Sequence, residues 1–223
     1  MKQVDSSYRW RQMNLPVHAW GERLSDLPEP APPEQLKEFA RQFHVRYIPK
    51  TASLADFPKQ RYLIGRGVML TGAPGRGKTR AACATLVSVC THYQLAGYFV
   101  RFSDYIQAKT SHFATSSKLD KGFGGEDAIW EVERFKSMEN TLYTVPLLVL
   151  DDVGKEHQTS SGFAQQQFAT LLRSRFDNAL PTIVTTNLNG KQWEATYEVS
   201  ESSFAQQAFD IVPMAGKDLR AAR

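Results

Sequence analysis

The stretch "GAPGRGKT", residues 72–79, constrains this chain more than any other, because Gly72, Gly77, Lys78 and Thr79 meet the spacing G-x-x-x-x-G-K-[ST]. A short apolar run, "GVML", precedes it and an alanine-rich run follows, so the motif sits between a predicted strand and a predicted helix. That combination is a P-loop. Its glycines let the chain bend back so that backbone N–H groups point at phosphate oxygens, and the helix beginning near Lys78 adds its positive end. Gly72, Ala73, Pro74, Gly75, Arg76 and Gly77 are therefore the predicted cradle, with Lys78, Thr79 and Arg80 on the first helical turn. Lys78 is placed to reach the outer phosphates of ATP, and the Thr79 hydroxyl to ligate Mg²⁺.

The rest of the chain alternates strand and helix patterns. "PEPAPP", 28–33, fits neither a helix interior nor a central strand and reads as a spacer, after which Leu36, Phe39, Ala40, Phe43 and Tyr47 recur at helical spacing. Strands are predicted at 67–72, 98–103, 145–154 and 181–187, and helices at 78–94 and 127–138 and along the stripe Ala164, Phe168, Leu171, Leu172 and Phe176. The polar, glycine-bearing stretch 111–128 reads as a mobile loop. Strands that are apolar almost throughout imply a parallel sheet covered on both faces. The fold class is thus α/β: a three-layer sandwich with a central parallel sheet and a short N-terminal helical extension. The division expected is a tail over 1–12, a helical prefix over 13–60 and a nucleotide-binding module over 61–223.

Composition narrows the setting. At 223 residues with 42% hydrophobic and 22% charged side chains, the chain can bury a full α/β core. Cys83 and Cys90 lie seven residues apart on one predicted helix, which suits core packing better than a disulfide or a metal site. No apolar run approaches the roughly 18 residues of a membrane span, and the first residues lack a signal-peptide core, so a cytoplasmic location without membrane contact is expected. A net charge of +4 tilts mildly toward an anionic partner.

Ligands of parallel sheets bind where strands end, which singles out Asp151 and Asp152 after "LLVL" and Asn187 after "TIVTT". A carboxylate at the first position can hold Mg²⁺, and its neighbour can orient the water that attacks the terminal phosphate. Asn187 can hydrogen-bond that water or the phosphate.

Together "GAPGRGKT", "LLVLDDVGKE", "RSRFDNALPTIVTTNL" and the terminal "GKDLR" resemble the ATPase module of DnaC/DnaI-type replicative helicase loaders and of IstB-type transposition helpers, within the AAA+ superfamily. "MNLPVHAWGERLSDL" resembles the segment that precedes that module, and the likeness runs from about residue 13 to the end. The resemblance implies Lys78 and Thr79 at phosphate and Mg²⁺, Asp151 and Asp152 as the Walker B pair, Asn187 as sensor 1 and Arg220 as the sensor 2 arginine. It implies an ATPase whose partner is a replicative helicase with single-stranded DNA; the lack of the family's trans arginine makes activity weak in isolation the expectation. An IstB-type helper on duplex DNA and a nucleotide-gated adaptor remain open beside it.

The sequence departs from the family at two places. The arginine usually supplied to a neighbour's nucleotide is absent from "YEVSESSFAQQAFDIV", leaving Arg173 and Arg175 as nearby substitutes; this puts a self-activating homo-oligomer in doubt. Arg175 is expected to pack locally or pair with Asp177. Only about a dozen residues precede the matched region, and they hold Tyr8, Arg9, Trp10 and Arg11, an aromatic and basic cluster suited to a partner groove or to nucleic acid, with a frayed tail as the other reading. Arg101, Lys109, Lys118 and Lys121 with Tyr105 and Phe113 are the expected single-strand contacts.

Overall fold

The computed structural model describes residues 6–28, 32–155, 162–197, 199–216 and 218–219. Its centre is a sheet of five parallel strands, β1 (Gly67–Thr71), β2 (Gly97–Arg101), β3 (Leu147–Val153), β4 (Thr182–Thr186) and β5 (Phe209–Pro213), in the spatial order β2-β3-β4-β1-β5. Alternation along each strand explains the near-continuous apolar runs. Val68, Leu70, Leu147, Val149 and Ile183 point into one core, whereas Met69, Leu148, Leu150 and Val184 point into the other.

The first core is covered by α2 (Glu34–Arg41), α3 (Phe43–Arg46) and α4 (Lys78–His92). Leu36, Phe39 and Phe43 are fully buried, so the predicted prefix helix exists, broken at Gln42 into two pieces. α1 (Ser6–Gln12) lies on the same side: Trp10 packs against this core and the Arg9 guanidinium donates to the Cys90 carbonyl. Tyr8 on the same helix is exposed. Cys83 and Cys90 pack in this core, where burial raises both thiol pKa values, that of Cys90 to about 12.

The second core is covered by α5 (Phe102–Asp120), α6 (Glu126–Thr144), α7 (Phe163–Asp177), α8 (Gly190–Thr196) and α9 (Val199–Ala208). Here the structure corrects the sequence reading. The predicted loop over 111–128 is helical through Asp120, only 121–125 forms a turn, and α6 runs from 126 to 144 rather than 127 to 138. The second strand ends at Arg101, two residues early, because Phe102 turns into the core as the first residue of α5. Between 102 and 121 there is no glycine or proline to stop a helix, and its apolar partners lie on α6, as with His112 stacked on Phe135 at 4.5 Å between ring centroids. Among the described residues no helix is long and apolar enough to cross a membrane.

Candidate nucleotide site

The loop from Gly72 to Gly77 joins the carboxyl end of β1 to α4, and Gly77, the residue before the helix, has a φ of +76° that glycine adopts without strain. The chain leaving β5 folds back over this loop: the Met214 amide donates to the Thr71 carbonyl at 2.7 Å and the Leu219 amide to the Gly75 carbonyl at 2.9 Å. Lys78 is 6% exposed, and its ammonium donates to the Gly72 carbonyl at 2.7 Å, the Ala73 carbonyl at 2.9 Å and Asn187 Oδ1 at 2.6 Å. The lysine of the P-loop and the asparagine at the end of β4 thus meet directly.

Thr79 and Asp151 meet as well. The Thr79 hydroxyl donates to Asp151 Oδ1 at 2.8 Å, and the buried Thr185 hydroxyl donates to the same oxygen at 2.7 Å. Burial pushes the Asp151 carboxyl above its ordinary pKa, while the Thr185 and Thr79 hydroxyls pull the other way and Asp152 adds to the rise. A desolvated carboxylate beside a threonine hydroxyl is a hard oxygen donor set that suits Mg²⁺, which takes one or two carboxylates together with substrate phosphates. Asp152 lies where β3 leaves register with β4, between Leu150 and Val153, and has a φ of +58°. Its amide receives support from the Thr185 hydroxyl, which accepts that N–H at 2.9 Å. Lys155 Nζ donates to Asp152 Oδ2 at 3.0 Å, and Asn187 Nδ2 lies 3.5 Å from Oδ1.

Lys78, Thr79, Asp152, Lys155 and Asn187 open onto one cavity of ≈ 720 Å³, lined also by Pro74 to Gly77 and Arg80 and by His18 and Leu219, while Asp151 is buried behind the Thr79 hydroxyl. Arg80 borders it, but its guanidinium is held by three hydrogen bonds to the Glu22 carboxylate, which ties the prefix to α4. The Arg76 side chain lines the cavity and its Nη1 is buried with no hydrogen-bond partner among the described residues. A smaller adjoining cavity of ≈ 250 Å³ has apolar walls from Leu27, Pro28, Pro33, Met214 and Leu219 and shares Arg76 and Arg80 with the first.

The predicted residues Gly72 to Thr79, Asp151, Asp152 and Asn187 are therefore brought together, whereas Arg220 lies outside the described residues. Sequence reasoning missed Thr185, His18 and Lys155. Thr185 carried a signal, since residues two apart on a strand share a face and it precedes Asn187 by two. His18 and Lys155 carried none beyond proximity to recognised motifs.

One other expectation is corrected, and one pair of alternatives is decided. Tyr105 is fully buried and donates its hydroxyl to Glu139 at 3.0 Å, and Lys109 donates to the same carboxylate at 2.6 Å, so neither belongs to a single-strand surface. Arg101, Lys118, Lys121 and Phe113 are exposed. Of the two alternatives for Arg175, packing is the one realised: it is fully buried and bonds the Leu142 and Pro181 carbonyls and the Thr182 hydroxyl, at 2.7, 3.0 and 2.9 Å. Burial lowers its pKa to about 9, which leaves it charged at neutral pH as a structural cation that cannot reach a neighbour. Arg173 is exposed and stacks on Phe204, with 4.6 Å from guanidinium to ring centroid.

The sequence profile of the IstB-like ATP binding protein family matches residues 17–211. No curated protein matches the chain. Among solved structures, DnaI is 18% identical and superposes with a TM-score of 0.61 over 92% of this chain and 94% of its own. The DnaC helicase loader is 19% identical, with a TM-score of 0.60 over 90% of this chain and 100% of its own. A putative primosome component from Streptococcus pyogenes serotype M3 is 17% identical, with a TM-score of 0.59 over 98% and 99%. The fold is thus that of AAA+ P-loop proteins, as the motif order implies.

Proposed function

The chain belongs to the IstB-like ATP binding protein family, and from this premise we propose that it is a replication ATPase of the helicase-loader type, using its ATP state to deliver a replicative hexameric helicase to single-stranded DNA. The observation that supports this best is the meeting of Lys78, Thr79, Asp152 and Asn187, drawn from the P-loop and the ends of β3 and β4, at one cavity, with Asp151 bonded to Thr79 behind its wall. The motif order, which resembles that of DnaC/DnaI-type loaders, supports the loading role, and the similarity to the DnaC helicase loader agrees with it.

ATP enters with its phosphates on the Gly72–Thr79 loop, where phosphate oxygens take the place of the carbonyl and amide oxygens that hold the Lys78 ammonium. Thr79 and Asp151 hold Mg²⁺, which when bound neutralises phosphate charge. Asp152 orients a water whose oxygen forms a bond to the terminal phosphorus as the bond to the bridging oxygen breaks; ADP leaves, inorganic phosphate forms and the water proton passes to solvent through Asp152. Asn187 steadies the water or the terminal phosphate. We assign residues 1–12 to a partner-binding tail, 13–60 to the prefix and 61–223 to the ATPase module, acting in the cytoplasm.

A second reading, an IstB-type helper for a transposase on duplex DNA, is favoured by the family whose profile matches. Capture of purified partners by the tagged full chain, with and without ATP, separates the two. A loader retains the hexameric helicase in an ATP-dependent manner, and Lys78→Ala loses that dependence together with ATP binding. Capture of the transposase on duplex DNA, with no helicase retained in either nucleotide state, overturns the loader reading.

A further inference from the structure

ATPases that lack a neighbour's arginine must find positive charge for the terminal phosphate elsewhere, and the two arginines on the helix before β4 are spoken for. Arg175 is buried under three hydrogen bonds and Arg173 rests on Phe204. The turn after β3 presents a different cation. Asp152 takes up a left-handed conformation, with φ at +58°, and Gly154 follows at +93°. A Cβ on Gly154 would come within 2.7 Å of Leu188 Cδ1, the residue after Asn187, so only glycine lets this turn lie flat against the end of β4. The reversed chain returns Lys155 to the cavity, where its ammonium donates to Asp152 Oδ2 at 3.0 Å beside Asn187.

From this arrangement we propose that Lys155 is a catalytic cation supplied in cis: when ATP is bound, its ammonium moves from Asp152 to the terminal phosphate and offsets the charge that gathers there during hydrolysis. The step is the one written above, water oxygen to terminal phosphorus with ADP as leaving group, and Lys155 neither gains nor loses a proton in it. In the nucleotide-free state the ion pair keeps Lys155 and Asp152 at the cavity. Release of that pair by ATP also frees the Asp152 carboxylate to face the water, so one movement positions two groups. The Lys155 side chain is half exposed, which leaves it room for the shift and makes its replacement harmless to the fold.

The proposal rests on the ATPase reading of the same site, and the test keeps the two apart. The full chain and its Lys155→Gln and Lys155→Arg variants are titrated with ATP and with ADP, and turnover is followed across a range of protein concentrations. The parent chain is expected to bind both nucleotides and to show specific activity independent of its concentration. Lys155→Gln is expected to lower turnover about 30-fold or more and to weaken ATP about five- to tenfold while leaving ADP unchanged, because ADP lacks the phosphate that Lys155 meets. Lys155→Arg should restore most of the ATP preference. A parent that binds neither nucleotide would sink the ATPase reading itself. With ATP binding intact, parental turnover and ATP preference in Lys155→Gln would overturn the role of Lys155. Equal weakening of ATP and ADP would reduce it to a general field, which also overturns it. Activity that climbs with protein concentration and loses the climb in Lys155→Gln would place the lysine in a neighbour's site and overturn the cis assignment.

Discussion

The nucleotide site and the α5–α6 hairpin both hold charged side chains in place by polar partners, yet they use them in opposite ways. At the site, charged groups are held by partners that a ligand can replace: Lys78 by two carbonyls and an amide oxygen, Lys155 by Asp152. In the hairpin, charged groups are held by partners that nothing displaces, as in the Glu139 carboxylate that receives both the Tyr105 hydroxyl and the Lys109 ammonium between two helices. The first arrangement stores polar capacity for a substrate. The second uses it to fix one helix against another, and burial raises the Tyr105 pKa far enough that its hydroxyl remains a donor throughout the working range.

The sharpest way to break this contrast is at Asp152. Asparagine tolerates a left-handed backbone as well as aspartate does, so Asp152→Asn should keep the turn and its fold. It removes the charge that orients water, and turnover should fall about 10³-fold with ATP still bound. Hydrolysis at the parental rate would make Asp152 a structural residue like those of the hairpin. Next in size is Tyr105→Ala, which empties a fully buried position between Phe102 and Phe135 and strands the Glu139 contact. A loss of about 3 kcal/mol is expected, read by denaturant unfolding, with ATP affinity per folded molecule unchanged. If stability holds and single-stranded DNA affinity drops instead, Tyr105 is a surface residue after all.

That second outcome bears on what the sequence made legible. The site could be read because its groups are fixed by short local spacing: the loop from Gly72 to Thr79, two acids after an apolar strand, an asparagine after another. The parallel order then brings three strand ends together without further information. The hairpin resisted because what makes 111–120 helical lies on another element. Phe135 is 23 residues beyond His112, and Glu139 is 34 beyond Tyr105, so local polarity suggested a loop where tertiary packing chose a helix. Arg175 was legible in part: its acceptors on Pro181 and Thr182 lie six and seven residues on, within the local packing expected, whereas the Leu142 carbonyl, 33 residues back, becomes a neighbour only when the fold is assembled.

A smaller effect of opposite sign separates function from stability within the site. The Asp151 carboxyl is pushed above its ordinary pKa by burial, so its ionised form costs stability in the nucleotide-free protein. A raised carboxyl pKa favours folding below the unfolded value, near 4, and that advantage is lost as pH rises through the folded value. Asp151→Asn should therefore stabilise the free protein by about 1 kcal/mol at neutral pH, with the difference from the parent shrinking as the solution is acidified toward about pH 4. The same change should abolish the dependence of ATP affinity on Mg²⁺. A variant less stable than the parent at neutral pH would mean that the two threonine hydroxyls, at 2.8 and 2.7 Å, more than compensate the buried charge.

The smallest effect belongs to the tip of the hairpin, where Phe123 and Trp130 are each 71% exposed and Ile129 is 53% exposed. These side chains gain little from folding, because most of their surface stays in water. Trp130→Ala should shift stability by no more than about 0.5 kcal/mol and leave ATP affinity and turnover alone, in contrast to Tyr105→Ala on the facing helix. The pair of variants divides the hairpin into a packed root and an open tip. A loss above about 1 kcal/mol for Trp130→Ala would show that the tip is covered in solution, since an exposed indole has no packing of that size to lose. If stability is unchanged while ATP turnover falls, the tip acts on the nucleotide site, and the separation between a region that holds structure and a region that holds substrate no longer stands.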